Sequence, residues 1–209
     1  MDKTIYLVDD DESVISSLHN LLSAEGYTLS TFTSPSAFLN LTDYRTPCCL
    51  IVDLNMPGLD GFDVSLDLTE RGHAIPTIFL TGFGTIPLTV RAMKAGAFEF
   101  LTKPVMPDDL LRIVADALAL SEKSAALSQE KRLFTERYAS LTPREKELML
   151  LIIRGLLNKQ IAAEMGISEI TAKVHKRRVM EKMQVRSASE LVRIAERLGL
   201  LNDAWPSPG

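Results

Sequence analysis

Residues 48–61 read CCLIVDLNMPGLDG. Five apolar residues, Cys48 to Val52, run without a break into Asp53, and Met56-Pro57-Gly58 turns the chain soon afterwards. An apolar run of strand length, closed by a Pro-Gly turn, predicts a strand buried on both faces, as in a parallel sheet covered by helices. A carboxylate at the end of such a strand either caps the turn or serves a site. The rest of the chain decides between the two.

On either side of this stretch the first 120 residues alternate strand and helix. Strands are predicted at TIYLVD (4–9), YTLSTF (27–32), CCLIVD (48–53), PTIFLT (76–81) and FEFLTK (98–103). The first helix carries Val14, Ile15, Leu18, Leu21 and Leu22 and stops at Gly26; a short one opens at Pro35 and another lies near 60–71. PLTVRAMKAGA ends at Gly96, and PDDLLRIVADALAL opens at Pro107 with acids at its positive end. Such alternation predicts an α/β unit, a five-stranded, doubly wound parallel sheet with helices on both faces. Ligands of such sheets sit beyond the carboxyl ends of the strands.

Composition places few demands on this picture. A hydrophobic fraction of 46% and a charged fraction of 24% are those of an ordinary globular protein. No apolar run approaches the roughly 18 residues that span a membrane. MDKTIYLVDDD carries acids where a signal peptide has basic residues, so a cytoplasmic protein with no membrane partner is expected. Cys48 and Cys49, adjacent in the strand, read as buried reduced thiols, because metal sites want spaced ligands. Charge is uneven: residues 1–120 hold 7 basic and 16 acidic groups, net −9, and residues 141–209 hold 12 and 8, net +4. The rear is therefore the better candidate for nucleic acid.

Residues 121–139, rich in Ala, Ser, Lys and Glu without Gly or Pro, read as a helical or semi-rigid linker that can continue the preceding helix. The segment 140–202 is all helix. Thr142, Pro143 and Glu145 form a capping box with proline at the first turn, NKQIAAEMG stops at Gly166, and SEITAKVHKRRVMEKM is capped by Ser168. Ser187 and Glu190 are read as a second capping box, and 203–209 as a frayed tail. Helix, short glycine turn, helix is a helix-turn-helix pattern. On its second helix Ala172, His175, Val179 and Met183 form an inward face, with His175 expected to be hydrogen-bonded nearby. Lys173, Lys176, Arg177, Arg178 and Lys182 point outward. Asn158 and Lys159, at the start of the first helix, can offer a helix amino terminus to a phosphate.

The strand ends bring chemistry to one rim: Asp9, Asp10 and Asp11 after the first, Asp53 after the third, Thr81 and Gly82 after the fourth, Lys103 and Pro104 after the fifth. Converging carboxylates do not all ionise comfortably unless they share a cation. A hard ion, Mg²⁺ or Mn²⁺, suits an oxygen-only set completed by water and phosphate oxygens. Lys103 and Thr81 then suit a phosphoryl group, and Asp53 can carry an acyl phosphate.

LVDDDES, VDLNMPGLDG, IFLTGFG and AMKAGAFEFLTKP resemble the strand ends of a response-regulator receiver domain, a flavodoxin-like fold, over about 1–120. That resemblance implies Asp53 as phospho-acceptor and Asp9, Asp10, Asp53 and the Asn55 backbone carbonyl as Mg²⁺ ligands. It also implies Thr81 as switch hydroxyl, Lys103 as phosphate contact, Phe100 as switch aromatic and a cis Lys103–Pro104 bond. Gly82 leaves the site open to small donors. Asp11 and Glu12 receive no role.

Residues 141–200 are similar to the LuxR-type DNA-binding domain, so the chain as a whole resembles a FixJ/NarL-type two-component transcription regulator. By that likeness Lys173, Val174 and Arg177 face base edges of double-stranded DNA, and Lys159, Thr171 and Arg178 meet phosphates. Ala172 stands where the family usually has valine, and Arg178 replaces a frequent asparagine. The implied partners are a sensor histidine kinase, DNA, RNA polymerase and a second copy of the chain, which docks through Val90, Lys94 and Ala97 once phosphorylated. Two other readings stand beside it. DDDES fits Asp-x-Asp-x-Ser of haloacid-dehalogenase phosphatases, with Asp9 as nucleophile, Asp11 as acid/base and Asp53 as a metal ligand, though this leaves the helix-turn-helix unexplained. A DNA-binding protein whose receiver works without phosphorylation is the other.

Overall fold

A computed structural model describes residues 3–82 and 84–201; the tail at 203–209 lies outside the described residues. Backbone contacts divide the chain into two compact units, one through residue 126 and one from residue 127 onward.

In the first unit the expected alternation becomes β1 (Thr4–Val8), α1 (Glu12–Ala24), β2 (Thr28–Phe32), α2 (Pro35–Leu39), β3 (Cys48–Asp53), α3 (Gly61–Glu70), β4 (Thr77–Thr81), α4 (Ile86–Lys94), β5 (Glu99–Thr102) and the start of α5 (Pro107–Ala139). The strands form one parallel sheet in the order β2-β1-β3-β4-β5. Strand side chains alternate between faces. Tyr6, Val8, Cys48, Leu50, Val52 and Phe79 therefore pack on Phe38 of α2, Phe62, Val64 and Leu68 of α3, and Ala92 of α4. Ile5, Leu7, Cys49, Ile51, Ile78 and Leu80 pack on Leu18 and Leu22 of α1 and on Leu110, Val114 and Leu118 of α5. Each fully buried aliphatic side chain contributes about 1.5–3 kcal/mol. This two-sided burial explains the apolar run of β3: its two cysteines are neighbours in sequence but lie in different cores. Burial pushes the Cys48 thiol up to about 11 and Cys49 higher still, so both are protonated at neutral pH.

Helix α5 runs without a break from Pro107 through Ala139, so the linker continues the preceding helix. Ser121, where the linker was expected to start, is buried, and its hydroxyl accepts a 3.0 Å hydrogen bond from the Cys48 backbone N–H. The residue thus closes the first rung of β3. Among the described residues no helix is long and apolar enough to cross a membrane.

The second unit contains the end of α5, α6 (Pro143–Ile153), α7 (Asn158–Met165), α8 (Glu169–Met183) and α9 (Ala188–Arg197). Leu148, Ile152, Ile161, Val179, Met183 and Leu191 form its core, with Phe134 and Tyr138 of α5 packed against it. The Thr142–Glu145 capping box forms in full. The expected Ser187–Glu190 box forms by half. The Ser187 hydroxyl accepts from Glu190 N–H, but the Glu190 carboxylate reaches one residue further back, to the Arg186 N–H at 3.0 Å. Gly166 ends α7 with φ 65, a left-handed cap that only glycine adopts without strain, and so aims α8 away from α7.

Candidate functional site

Strand order reverses between β1 and β3, the switch point where ligands of open α/β sheets bind. Asp9 follows β1 there and Asp53 ends β3; both are buried. From across the sheet Lys103 reaches in after β5, its Nζ 2.6 Å from Asp9 Oδ2 and 2.6 Å from Asp53 Oδ1. The other carboxylate oxygens are held by backbone: Asp9 Oδ1 accepts from Asp11 N–H at 3.0 Å and Asp53 Oδ2 from Asn55 N–H at 2.7 Å. Each acid thus has a fixed rotamer and one oxygen turned to a shared cation. The Lys103–Pro104 bond is cis, as the resemblance implied, with Pro104 exposed.

Burial raises the Asp9 carboxyl above its usual range even though Lys103 pulls it down. Burial alone would lower Lys103, but its hydrogen bonds to Asp53 and Asp9 outweigh that and raise it, so the ammonium stays charged. Thr81 is buried at the end of β4, with the Asn55 Nδ2 at a long 3.5 Å from its hydroxyl. A Cβ at exposed Gly82 would meet nothing within 4 Å, which leaves this side of the site open. Phe100 is half-buried against the core on the α4 side.

Asp10 stands apart: it is exposed, and among the described residues no three His, Cys, Asp or Glu side chains are grouped closely enough to hold a metal ion. The donor set still suits a hard cation. Two buried carboxylates, oxygen ligands only, already converge on one positive charge, and such ions complete their shell with water and phosphate.

Asp11 has a different task from its neighbours. As N-cap of α1 its Oδ1 accepts from both Ser13 Oγ–H and Ser13 N–H, at 2.6 and 2.8 Å, which lowers its carboxyl. A phosphatase acid/base needs the opposite shift, towards a protonated form near neutral pH.

Two further surfaces complete the set. On α4 Val90 and Lys94 are exposed, and Ala97, just past its end, is half-buried; with Ile86 and Met93 also exposed, Ile86, Val90 and Met93 make an apolar stripe at helical spacing. In the second unit Thr171, Lys173, Val174, Arg177 and Arg178 of α8 and Lys159 of α7 are exposed, Lys176 and Asn158 half-buried. Ala172, Val179 and Met183 are buried as expected; His175 is half-buried, and its Nδ1 has no hydrogen-bond partner among the described residues, against the expected pairing. Lys182 is exposed, and its ammonium is paired with Glu145 at 2.6 Å.

The family described as response regulator receiver domain matches residues 5–115, and that described as bacterial regulatory proteins, luxR family, matches residues 139–195. The chain belongs to the two-component response regulators. It is 42% identical over 194 residues to the response regulator protein TodT of Pseudomonas putida, covering 93% of this chain and 86% of that one. It is 41% identical over 202 residues to the transcriptional regulatory protein FixJ of Bradyrhizobium diazoefficiens, covering 95% and 97%. The solved response regulator StyR aligns with a TM-score of 0.86 at 42% identity, over 94% of this chain and 100% of that one. As a member of this class the regulator joins a receiver domain to a LuxR-type DNA-binding domain.

Sequence reasoning missed several residues that shape these sites. Gly61 opens α3 against the backbone of Asp53: a Cβ there would lie 2.7 Å from the Asp53 carbonyl oxygen. Glu181 holds the Arg177 guanidinium, Nε to Oε1 at 2.7 Å, which an i, i+4 search on α8 could have found. Ile170 is 79% exposed at the start of α8.

Proposed function

We propose that this regulator is switched by phosphorylation of Asp53, and that the phosphorylated chain dimerises and binds double-stranded DNA as a transcription factor. The convergence of Asp9, Asp53 and Lys103 at the switch point carries the reading. An Asp53 oxygen attacks the phosphorus of a phosphohistidine on a sensor histidine kinase, or of acetyl phosphate. The new P–O bond forms as the bond to the leaving group breaks. Lys103 exchanges its contact with the carboxylate for one with a phosphoryl oxygen, and the Thr81 hydroxyl donates to another. When bound, Mg²⁺ or Mn²⁺ polarises the phosphoryl oxygens and offsets the charge that repels the donor. Asp9 and Asp53 would hold it, joined by Asp10 and the Asn55 carbonyl in the family's ligand set. Gly82 leaves room for the donor, and Pro104 fixes the turn that carries Lys103.

Movement of Thr81 towards the phosphoryl group lets Phe100 pack inward and remodels the α4–β5 face. Val90, Lys94 and Ala97, with the apolar stripe of Ile86 and Met93, then meet a second copy. Dimerisation places two α8 helices about one DNA turn apart on an inverted repeat. Lys173, Val174 and Arg177 face base edges; Asn158, Lys159, Thr171, Lys176 and Arg178 hold phosphates. A coupling of about 1–3 kcal/mol changes occupancy about 5–150-fold. The bound dimer, in the cytoplasm, is placed to contact RNA polymerase. Domain limits of 1–120, 121–139 and 140–202 accompany this reading, with 121–139 as the connecting helix.

Band shifts on genomic fragments, with and without acetyl phosphate and Mg²⁺, test the switch. Donor-enhanced binding by the wild type and its loss in Asp53→Asn are expected; equal affinity under both conditions contradicts it.

A further inference from the structure

Among the described residues beyond 140, the large apolar side chains left exposed are Leu157, Ile170 and Val174, at 72, 79 and 46%. All three lie in the helix-turn-helix. Ile170 and Val174 are one turn apart on α8, so they share a face. The same exposed face carries Lys173, Arg177 and Arg178. Nothing local favours an isoleucine at Ile170: it is a weaker helix former than the straight-chain residues, and it buries almost nothing within the chain.

A basic rim around an apolar tip fits a polyanion with apolar points on its surface. The major groove of DNA offers one such point, the C5-methyl group of thymine, which apolar side chains read directly. The first turn of a recognition helix is the part that meets base edges. Ile170 stands in that turn, beside the Thr171 whose N–H and hydroxyl are tied to the Ser168 cap. The cap holds the turn, and with it the isoleucine, in one position.

We infer that Ile170 is a specificity-determining residue that packs on the methyl group of one thymine in each half-site. The inference rests on the proposed docking of α8 in the major groove. It adds a base-type requirement, a 5-methylpyrimidine, that the cationic residues cannot supply.

The test removes single methyl groups. The full-length chain, with acetyl phosphate and Mg²⁺, selects its preferred duplex from a randomised library. Each thymine of that duplex is then replaced singly by deoxyuridine, which deletes the C5-methyl and keeps every hydrogen bond. One thymine per half-site is expected to lose about fourfold in wild-type affinity on replacement, the factor that about 0.8 kcal/mol per buried methyl group represents. Ile170→Ala should bind the thymine and deoxyuridine duplexes alike. Ile170→Val, which keeps the branched methyl groups, should retain the discrimination. Wild-type indifference to every replacement overturns the inference, as does an unchanged response in Ile170→Ala or its loss in Val174→Ala alone. Selection of no sequence at all would sink the docking of α8, and the inference with it. Selection without methyl sensitivity sinks only the inference.

Discussion

Lys103 Nζ lies 2.6 Å from Asp53 Oδ1, and the same atom lies as close to Asp9. One ammonium therefore holds two buried carboxylates together in the unphosphorylated chain. Lys103→Met leaves both buried acids without their counter-charge and should cost about 3–5 kcal/mol of stability at pH 7. The sign with pH follows from Asp9, whose carboxyl is raised in the folded state. Acidification through that raised value neutralises it, so the deficit of the variant should shrink as pH falls. Urea titrations of wild type and variant over a series of pH values from neutral downwards measure this; a deficit independent of pH would contradict it.

Ser121 predicts a second effect far from the rim. Ser121→Ala removes the acceptor of the buried Cys48 N–H. An orphaned buried donor costs about 1–3 kcal/mol. Loss of hydrogen-exchange protection at the start of β3 should accompany the lower stability, whereas Ser124→Ala on the next turn should change neither.

Most of the sheet was legible because its runs are extreme: β1, β3 and β4 are buried throughout, so their apolar residues stand without polar interruption until the functional strand ends. The pairing of Asp9 and Asp53 through Lys103 was foreseeable as convergence, not as a shared ammonium, since side-chain rotamers leave no mark in a sequence. Ser121 was illegible for a related reason. A serine in a polar helical stretch looks solvated, and only the packing of α5 on the sheet turns it inward. Asp11, left without a role in the site, takes the N-cap of α1, the plain use of an acid just before a helix.

Glu145 caps α6 and holds Lys182 of α8. Its hydrogen bonds to Lys182 and then to the Thr142 N–H keep its carboxyl below the usual 4.5. A depressed folded value means stabilisation that is present above 4.5 and lost as pH falls through the folded value. Stability of the second unit, followed by α6 and α8 amide signals in urea, should decline in that acid window. Glu145→Gln should start about 1–3 kcal/mol lower and respond less to acid.

Glu181 occupies Arg177 and adds a negative charge to α8, the helix proposed to face DNA. Glu181→Gln should raise affinity for non-specific duplex, because a like charge near the phosphates is gone. It should also weaken discrimination at the base pair that Arg177→Ala alters, with no further loss of discrimination in the Arg177→Ala background. Binding to selected and scrambled duplexes across a salt series distinguishes the two effects.

The most direct measurement is the position of the phosphoryl group. The full-length chain is incubated with acetyl phosphate and Mg²⁺, the acyl phosphate is trapped by borohydride reduction, and the modified peptide is sequenced by mass spectrometry. Modification at Asp53, dependent on Mg²⁺ and absent from Asp53→Asn, is the predicted result. Modification at Asp9, or none under conditions where DNA binding still responds to the donor, would contradict it.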